Sequence, residues 1–343
     1  MHSQSRILTH PTSAAPQAPE RLALLYKAAA DLLRLHILRL LRTESLGVLE
    51  MCSILDIRQS ALSHHLKVLF TASLVSTRRE GNAIFYRRAF LAPDDPFAAQ
   101  KRSIFSGADL LPLAGAAEAR LAAVKQQREQ HSREFFTRVA DRFQQNQELV
   151  AELQQYAGSL RDLLHGLALP AHATVLEVGP GAGNLLALLS QVGGRVIALD
   201  NSAEMLGKAR ATVASAALHN VELMLGDPAT ALARGLKADL VIFSMVLHHL
   251  ASPATAFADS AKLLEAGGCL LIVDLCRHNQ DWVRDSCGDL WRGFEPEELS
   301  GWAAQAGFEQ GQSLFLSLRN GFQVQMRLFH LPRPLATLPF AAP

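Results

Sequence analysis

The sequence Thr-Val-Leu-Glu-Val-Gly-Pro-Gly-Ala-Gly, at residues 174–183, decides the fold of the larger part of this chain. The apolar, β-branched run at residues 174–178 ends in a glycine-rich loop, which predicts a buried strand over 174–178 that turns sharply into a helix. Glycines at these positions let the backbone turn tightly and approach a ligand where a Cβ would collide. Alone the stretch is a weak signal, because dinucleotide-binding proteins use a similar loop.

Further candidate strands follow this loop, with room for a helix between most of them. They lie at residues 195–199, 221–225, 239–243 and 269–274, with a last pair near 315–329. Strands that alternate with helices favour a mainly parallel sheet covered on both faces. The sequence therefore predicts an α/β doubly wound, Rossmann-like domain after about residue 166.

Carboxylates stand at the ends of these predicted strands. Glu177 lies in the first strand, Asp200 closes the second and Asp227 follows the third. A carboxylate in the position of Asp200 can accept hydrogen bonds from ribose hydroxyls, and Asp227 can reach an adenine amino group. The pattern indicates a nucleoside-containing ligand at the carboxyl edge of the sheet.

These elements, taken in order over residues 170–330, resemble the class I S-adenosylmethionine-dependent methyltransferases. The resemblance implies S-adenosylmethionine or S-adenosylhomocysteine as the ligand, with Asp200 at the ribose and Asp227 at the adenine. The residues that it assigns to the methionine end are Glu177, Gly179, Gly181 and Gly183, and Asn201, Met205 and Ser244 are further lining candidates. An NAD-dependent enzyme is the alternative for this fold.

The amino-terminal part has a different pattern, with two short predicted helices at residues 48–55 and 60–69. On the second helix Leu62, Leu66 and Leu69 share one face, which predicts that this face packs on the domain core. The opposite face carries short polar and cationic side chains suited to bases and phosphates in a major groove. The predicted DNA-contacting residues of this helix are Ser60, Ser63, His64 and Lys67, with His65 at the flank.

A basic hairpin is predicted next, with strands at 74–79 and 83–88 around Glu80-Gly81-Asn82. Arg78 and Arg79 precede the turn and Arg87 and Arg88 follow it, so we expect them to neutralise DNA phosphates. Residues 20–92 contain eleven Lys/Arg against six Asp/Glu, whereas residues 168–330 contain eleven against sixteen. This asymmetry favours a polyanion partner for the amino-terminal part; uneven surface charge is the alternative.

Residues 21–88 resemble the ArsR-type winged helix-turn-helix regulators, in phrases such as Ser63-His-His-Leu-Lys-Val-Leu. The resemblance implies a homodimer on a palindromic DNA operator, with dimer contacts made by helices outside the winged core. Metal sensors of this family carry a Cys-x-Cys pair on the first helix of the motif, where this chain has the single Cys52. One thiolate does not build a closed site in one subunit, and adjacent His64 and His65 point in different directions. We therefore predict no metal site.

Composition sets the domain boundaries. We expect flexible tails at 1–19 and 331–343, a winged helix-turn-helix domain at 20–92, a helical connector or dimerisation region at 93–165 and a methyltransferase-like domain at 166–330. The connector carries enough apolar positions for one buried stripe, although a plain surface helix remains an equal alternative. The sequence shows neither a signal peptide nor a membrane-length apolar run, so we expect a cytoplasmic protein.

The sequence leaves open whether the second domain is a catalyst. It lacks the Asn/Asp-Pro-Pro-aromatic phrase of nucleic-acid amino-methylating enzymes, and His248-His249 is a candidate base in a phrase that is more often structural. Cys276 and Cys287 allow an arsenite methyltransferase as a further alternative, and Asp274 and Trp282 receive no role.

The fused arrangement resembles bacterial regulators of methionine and methyl-cycle genes that respond to S-adenosylhomocysteine. Two hypotheses follow. The favoured one is a DNA-binding repressor whose methyltransferase-like domain binds the S-adenosyl ligand as an effector and modulates operator binding. The alternative is an active small-molecule methyltransferase with an attached autoregulatory DNA-binding domain.

Overall fold

The computed structural model describes residues 18–81, 83–91 and 94–333, apart from the side chains of 18, 136, 137, 139–148 and 285. The helices are α1 Ala18–Ala29, α2 Leu32–Leu40, α3 Val48–Leu55, α4 Gln59–Thr71, α5 Ala98–Asp109, α6 Gly115–Val150, α7 Leu153–Gly166, α8 Leu186–Val192, α9 Ala203–Ser215, α10 Pro228–Ala233, α11 Pro253–Leu263, α12 Trp282–Cys287 and α13 Pro296–Gln305. The strands are β1 Leu46–Gly47, β2 Val75–Glu80, β3 Ala83–Arg88, β4 Thr174–Val178, β5 Arg195–Asp200, β6 Val221–Leu225, β7 Ala238–Ser244, β8 Leu264–Leu275, β9 Glu309–Ser317 and β10 Gln323–His330.

The amino-terminal domain is a winged helix-turn-helix, as the sequence predicts. The Gly47 backbone N–H donates to the Glu50 carboxylate at 2.7 Å, which caps α3, and Asp56 ends that helix in a left-handed conformation. On α4 the three leucines of the predicted core face are buried. The wing is the antiparallel pair β2–β3, which β1 extends to a three-stranded sheet of order β1-β3-β2.

The predicted connector consists of three helices, α5 to α7, and α6 alone is 36 residues long. Leu121 and Val124 of α6 pack against the winged-helix core, and the Arg120 guanidinium donates to the Ile54 carbonyl oxygen at 2.9 Å. A second part of α6 reaches the carboxyl-terminal domain, as described below. Helix α6 is therefore an element shared by the two domains rather than a plain surface helix.

The carboxyl-terminal domain is built on a seven-stranded sheet of order β6-β5-β4-β7-β8-β10-β9. The strands from β6 to β8 run parallel, and β10 is antiparallel to both of its neighbours. Alternate residues of β4 pack on opposite faces, since Val175 joins one apolar cluster and Leu176 the other. Strand β4 was predicted with its observed bounds, whereas β8 is longer than the predicted 269–274.

This topology places the carboxyl ends of β4, β5, β6 and β7 along one edge of the sheet, which is where open α/β sheets bind ligands. Among the described residues no helix is both long and apolar enough to cross a membrane. The predicted tails lie almost wholly outside the described residues, although Ala18 and Pro19 already belong to α1.

Candidate functional site

The glycine-rich loop joins β4 to α8 and contains three glycines with positive φ, at +69° for Gly179, +58° for Gly181 and +84° for Gly183. L-residues rarely adopt these angles, so the loop depends on glycine for its path. The three glycines do not share one role. A Cβ on Gly183 would lie 2.9 Å from the Leu186 side chain and 3.3 Å from the Ala209 backbone. Gly183 therefore allows close packing against α8 and α9.

A cavity of about 980 Å³ opens beside this loop. It is lined by eight of the nine residues that the sequence assigns to the cofactor: Glu177, Gly179, Gly181, Asp200, Asn201, Met205, Asp227 and Ser244. Gly183 is not among the lining residues and packs closely on α8 and α9, so its assignment to the methionine end of a ligand stays a prediction. Strands β4, β5 and β7 and the loop after β6 supply the polar residues, which explains why they converge.

Glu177 is the most deeply buried carboxylate of the cavity, with 2% of its surface exposed. Its Oε2 atom has no hydrogen-bond partner among the described residues. Burial, together with the nearby charge of Asp200, raises the pKa of Glu177 to about 8. A buried carboxyl group with an unsatisfied oxygen facing a cavity suits a cationic or hydrogen-bond-donating ligand.

Asp200 and Asp227 are held in place by backbone donors. The Ser202 N–H donates to Asp200 Oδ1 at 2.9 Å. Burial raises the pKa of Asp200 to about 6, and backbone N–H groups limit that rise. Asp227 caps α10 by accepting from the Thr230 N–H at 2.8 Å and from its hydroxyl at 2.7 Å, both on Oδ1. Each carboxylate therefore has a fixed orientation at the end of its strand.

Sequence reasoning missed several lining residues because they come from distant elements. Tyr156 of α7 lines the cavity near Ser244, and burial raises the pKa of its phenol to about 12. Helix α6 adds Lys125, Glu129, Ser132 and Arg133. A helical face of mixed polar residues gives no local signal that separates a cavity wall from a solvated surface.

His248 and His249 lie at the end of β7 together with two buried aspartates. His248 Nδ1 lies 2.7 Å from Asp274 Oδ1. Burial lowers the pKa of His248, but the charges of Asp274 and Asp289 outweigh it and raise the value to about 9. His249 lines the cavity, and burial holds its pKa well below the usual range. The two histidines therefore do more than pack in the core: His248 pairs with a buried carboxylate, and His249 borders the cavity.

The two cysteines considered for arsenite chemistry do not line the cavity. Burial raises the pKa of the Cys276 thiol to about 11 and that of the Cys287 thiol to about 12. Both therefore remain neutral thiols near neutral pH, whereas metal and metalloid ligation uses thiolates. The structure gives no support to a cysteine-based acceptor site.

The second candidate surface is α4, whose polar face is open. Ser60, Ser63, His64 and Lys67 are exposed, and His65 is half-buried with its Nδ1 3.6 Å from the Asp31 carboxylate. The leucines on the opposite face anchor the helix to the core. This arrangement leaves short polar groups and one ammonium on a convex helix, the geometry required to enter a major groove.

The wing departs from the sequence prediction. Only 2% of Arg78 is exposed, and its guanidinium is fully used in contacts with Glu80, the Glu298 carboxylate of α13 and the Gly293 carbonyl oxygen. Arg87 also pairs with Glu298. Arg78 is buried and both guanidinium groups are paired with Glu298, so the expectation that both contact phosphates is corrected for this arrangement of the domains.

Two further arginines of the wing differ from each other. Arg88 is buried within the winged domain, where it donates to the Leu38 carbonyl oxygen at 2.7 Å and pairs with Asp109. Arg79 is exposed, and its guanidinium donates to the nearby Gly81 carbonyl oxygen at 3.0 Å. Of the four wing arginines, Arg79 alone stands in the predicted position.

The wing packs on the carboxyl-terminal domain through polar and apolar contacts. Glu80 Oε2 accepts from the Arg292 guanidinium at 3.1 Å, and the rings of Phe85 and Trp291 meet edge to face at 5.2 Å. A Cβ on Gly301 would lie 2.2 Å from the Phe90 ring, so α13 and the segment after the wing are in close contact. We refer to Arg78, Glu80, Arg87, Arg292 and Glu298 as the interdomain ion network.

Helix α6 forms a second link between the domains. Arg128 binds the Glu50 carboxylate of α3 with Nε at 2.8 Å, and its Nη1 donates to the Ala251 carbonyl oxygen at 3.1 Å. Ala251 lines the cavity, as do Glu129 and Arg133 on the next turns of the same helix. The single side chain of Arg128 therefore connects α3 of the helix-turn-helix motif to Ala251 in the cavity wall.

Comparison with known proteins agrees with the division of the chain into an amino-terminal helix-turn-helix domain and a carboxyl-terminal α/β domain. Residues 31–77 match the family model "Bacterial regulatory protein, arsR family", and residues 150–312 match the model "Methyltransferase domain". The transcriptional activator HlyU of Vibrio cholerae is 47% identical over 62 residues, which cover 18% of this chain and 57% of HlyU.

The second domain has relatives among methyltransferases. The trans-aconitate 2-methyltransferase of Azoarcus sp. is 39% identical over 114 residues, covering 33% of this chain and 43% of the relative. The arsenite methyltransferase of Halobacterium salinarum is 35% identical over 105 residues, covering 30% and 27%. In all three comparisons the match spans less than two thirds of the relative. The chain thus joins a helix-turn-helix domain of the arsR family to a methyltransferase domain with a class I, Rossmann-like fold.

Proposed function

We propose that this chain is a DNA-binding transcriptional repressor whose methyltransferase domain binds S-adenosylmethionine or S-adenosylhomocysteine as an effector. One observation carries the proposal: the wing of the DNA-binding domain is held to the methyltransferase domain by the buried interdomain ion network. A ligand that changes the orientation of the methyltransferase domain would also change the position of the wing. Ligand binding in the cavity and DNA binding by the helix-turn-helix domain would then affect each other reciprocally.

The cavity supports the ligand part of the proposal. Its volume lies within the usual range for small-molecule sites. Three of its acidic side chains can each be assigned to one part of the ligand. Asp200 and Asp227 would accept hydrogen bonds from the ribose and the adenine, and Glu177 would face the cationic methionine end. The unsatisfied Oε2 of Glu177 is the clearest sign of a missing donor. When bound, S-adenosylmethionine supplies an activated methyl group.

The DNA part of the proposal rests on the open face of α4. A homodimer would place two copies of this helix in successive major grooves of a palindromic operator. Exposed apolar side chains on helices that flank the winged core support dimerisation, with Tyr26 on α1 54% exposed and Leu110 after α5 85% exposed. A cytoplasmic location belongs to the same proposal, since the chain must reach DNA.

The test is an operator titration with the full-length protein. Operators would first be selected from a random duplex library, and affinity would then be measured with S-adenosylmethionine, with S-adenosylhomocysteine and without ligand. We expect at least one ligand to change operator affinity by fivefold or more. Asp200→Ala should abolish this response and leave ligand-free DNA binding intact. Operator affinity that ignores both ligands would refute the effector role.

A second candidate function is methyl transfer to a small molecule, with the helix-turn-helix domain regulating the enzyme's own operon. Tyr156 and His249 at the cavity favour it, since a protonated phenol can orient an acceptor and a neutral imidazole can accept a proton from it. The protein's own contribution would be alignment of acceptor and methyl group. Turnover of S-adenosylmethionine with metabolite acceptors, lost in Asp200→Ala and reduced in His249→Gln, would establish this function; absence of turnover with every acceptor class would leave the effector role.

A further inference from the structure

Three buried side chains beside the cavity offer metal-ligating atoms to one point. His248, His249 and Asp289 each provide one such atom, and these atoms lie within 4.8 Å of one another. Asp289 Oδ1 is 3.8 Å from His248 Nε2 and 3.8 Å from His249 Nδ1. The set contains two imidazole nitrogens and one carboxylate oxygen.

Asp289 is the unusual member of this group. Both of its carboxylate oxygens are buried and have no hydrogen-bond partner among the described residues. Burying a carboxylate in this way is costly unless a cation or donors compensate it. The gaps of 3.8 Å to the imidazole nitrogens are too long for hydrogen bonds. They are close to the separation of about 3.4 Å between two ligand atoms that share one tetrahedral Zn²⁺.

The surroundings of His248 fix which of its nitrogens is available. Asp274 Oδ1 lies 2.7 Å from His248 Nδ1 and also accepts from the Leu275 N–H at 2.7 Å. A carboxylate behind one ring nitrogen, with the other nitrogen turned toward the ligand point, is the usual arrangement around a metal-bound histidine. His249 Nδ1 lies 3.3 Å from the Gly288 carbonyl oxygen and would exchange that contact for an ion.

We propose that His248, His249 and Asp289 bind one divalent transition-metal ion, with Asp274 as a positioning residue. Two imidazoles and one carboxylate suit Zn²⁺ and neighbouring first-row ions better than Mg²⁺ or Ca²⁺. The site belongs to the methyltransferase domain and is independent of Cys52 and of the helix-turn-helix. It replaces the expectation from sequence that the chain holds no metal.

The position of the site gives the ion a structural consequence. The N–H groups of Leu290 and Trp291 both donate to the His248 carbonyl oxygen at 3.1 Å. Trp291 packs on Phe85 of the wing, and the next residue, Arg292, binds Glu80. An ion at Asp289 would therefore fix the segment that joins the cavity wall to the wing.

The test uses the full-length protein, stripped with a chelator and titrated with Zn²⁺ by calorimetry and with Co²⁺ by visible absorption. We expect one ion per chain and a Co²⁺ spectrum of nitrogen and oxygen ligands without an intense thiolate band. Asp289→Asn should weaken Zn²⁺ binding by at least tenfold, and Asp274→Asn by about 10- to 100-fold. The matched control is His330→Gln, which removes the histidine paired with the Cys269 thiol and should leave affinity unchanged.

Three results would overturn the proposal. The first is that the stripped protein shows no saturable Zn²⁺ or Co²⁺ binding, and the second is that Asp289→Asn leaves the affinity unchanged. The third is that His330→Gln loses affinity while Asp289→Asn does not. Circular dichroism would establish that each variant is folded. If Asp289→Asn does not fold, the Co²⁺ spectrum and stoichiometry of the unmodified protein decide, because a thiolate spectrum would place the ion elsewhere. None of these readouts requires an S-adenosyl ligand.

Discussion

Helix α4 and the β2–β3 wing are both basic in sequence, and the structure uses them in opposite ways. Lys67 on α4 is exposed, whereas Arg78 on β2 is 2% exposed and paired with carboxylates of both domains. The two side chains have the same charge and similar length, and each was expected at phosphates. What separates them is the partner surface, since α13 brings Glu298 to the wing, whereas no element among the described residues covers the polar face of α4 in a comparable way.

The difference teaches that a cationic residue in a DNA-binding domain can be a joint between domains. A wing with all its arginines on DNA would be linked to the methyltransferase domain without its ion pairs to Glu298, through contacts such as that of Phe85 with Trp291 and through helix α6. In this chain two of them, Arg78 and Arg87, are committed to Glu298. The following predictions aim to break or sharpen this contrast and run from the largest expected effect to the smallest.

Arg78→Ala should destabilise the protein by about 3–5 kcal/mol, because it removes a buried guanidinium that both Glu80 and Glu298 share and leaves each carboxylate with one arginine. Urea unfolding followed by circular dichroism measures the change in the free energy of unfolding. The matched control is Arg79→Ala on the same strand, which is exposed and should cost less than about 0.5 kcal/mol. Equal effects of the two substitutions would mean that the interdomain ion network contributes nothing to stability.

Lys67→Ala should weaken operator binding about tenfold and lower the salt dependence of binding by about one ion, because one phosphate contact is lost. Fluorescence anisotropy across a series of salt concentrations measures both quantities. Folding stability should be unchanged, since the side chain is exposed. Binding that is indifferent to this substitution would show that α4 is not the reading helix.

A pH series tests the methyltransferase side of the contrast. Because the pKa of Glu177 is raised to about 8, the free protein holds a proton there at pH 7 that a cationic ligand must displace. Affinity for S-adenosylmethionine should therefore rise about fivefold between pH 7 and pH 8 and level off above that. Calorimetry in two buffers of different ionisation enthalpy measures the released proton.

The same shift has a consequence for stability. The folded-state pKa of Glu177 lies above its usual value of 4.5, so the folded protein binds this proton more tightly than the unfolded chain. The stabilisation is present below about pH 4.5 and is lost as pH rises through about 8. Glu177→Gln should remove this slope from the ligand-free protein and should make S-adenosylmethionine affinity independent of pH in the same window; a slope that persists in Glu177→Gln would assign it to another group.

Arg79→Ala is the smallest expected effect, a two- to threefold loss of operator affinity with one contact fewer in the salt dependence. As the exposed arginine of the wing it reports whether the hairpin touches DNA at all. Arg87→Ala is the comparison variant and should leave the salt dependence unchanged, because its partner is Glu298. If Arg87→Ala lowers the salt dependence instead, the wing leaves the methyltransferase domain when DNA binds.

Much of the fold could be predicted because it follows from the local periodicity of apolar and polar residues. The leucines of α4, the bounds of β4 and β6, and the turn between β2 and β3 all follow from patterns within a few residues. Eight of the nine predicted cofactor residues reach the cavity because strand order brings their carboxyl ends together. Gly183 does not line the cavity, because one glycine pattern serves both ligand approach and helix packing.

The remaining features depend on contacts that sequence spacing does not reveal. Arg78 meets Glu298 across 220 residues, and His248 meets Asp289 across 41. Tyr156 enters the cavity from α7, before the sheet begins. In each case the local sequence specifies a side chain with a capacity for hydrogen bonding, and tertiary packing selects its partner. The same reason hid the role of α6, whose polar face lines the cavity.

The contact between Gly301 and Phe90 reveals a compromise. Glycine inside a helix such as α13 costs about 1 kcal/mol relative to alanine, yet a Cβ at Gly301 would lie 2.2 Å from the Phe90 ring. Gly301 thus makes α13 less stable as a helix but allows the two domains to pack more closely. A single methyl group there would favour the helix but push α13 away from Phe90, and it would separate the helix-turn-helix domain from the methyltransferase domain.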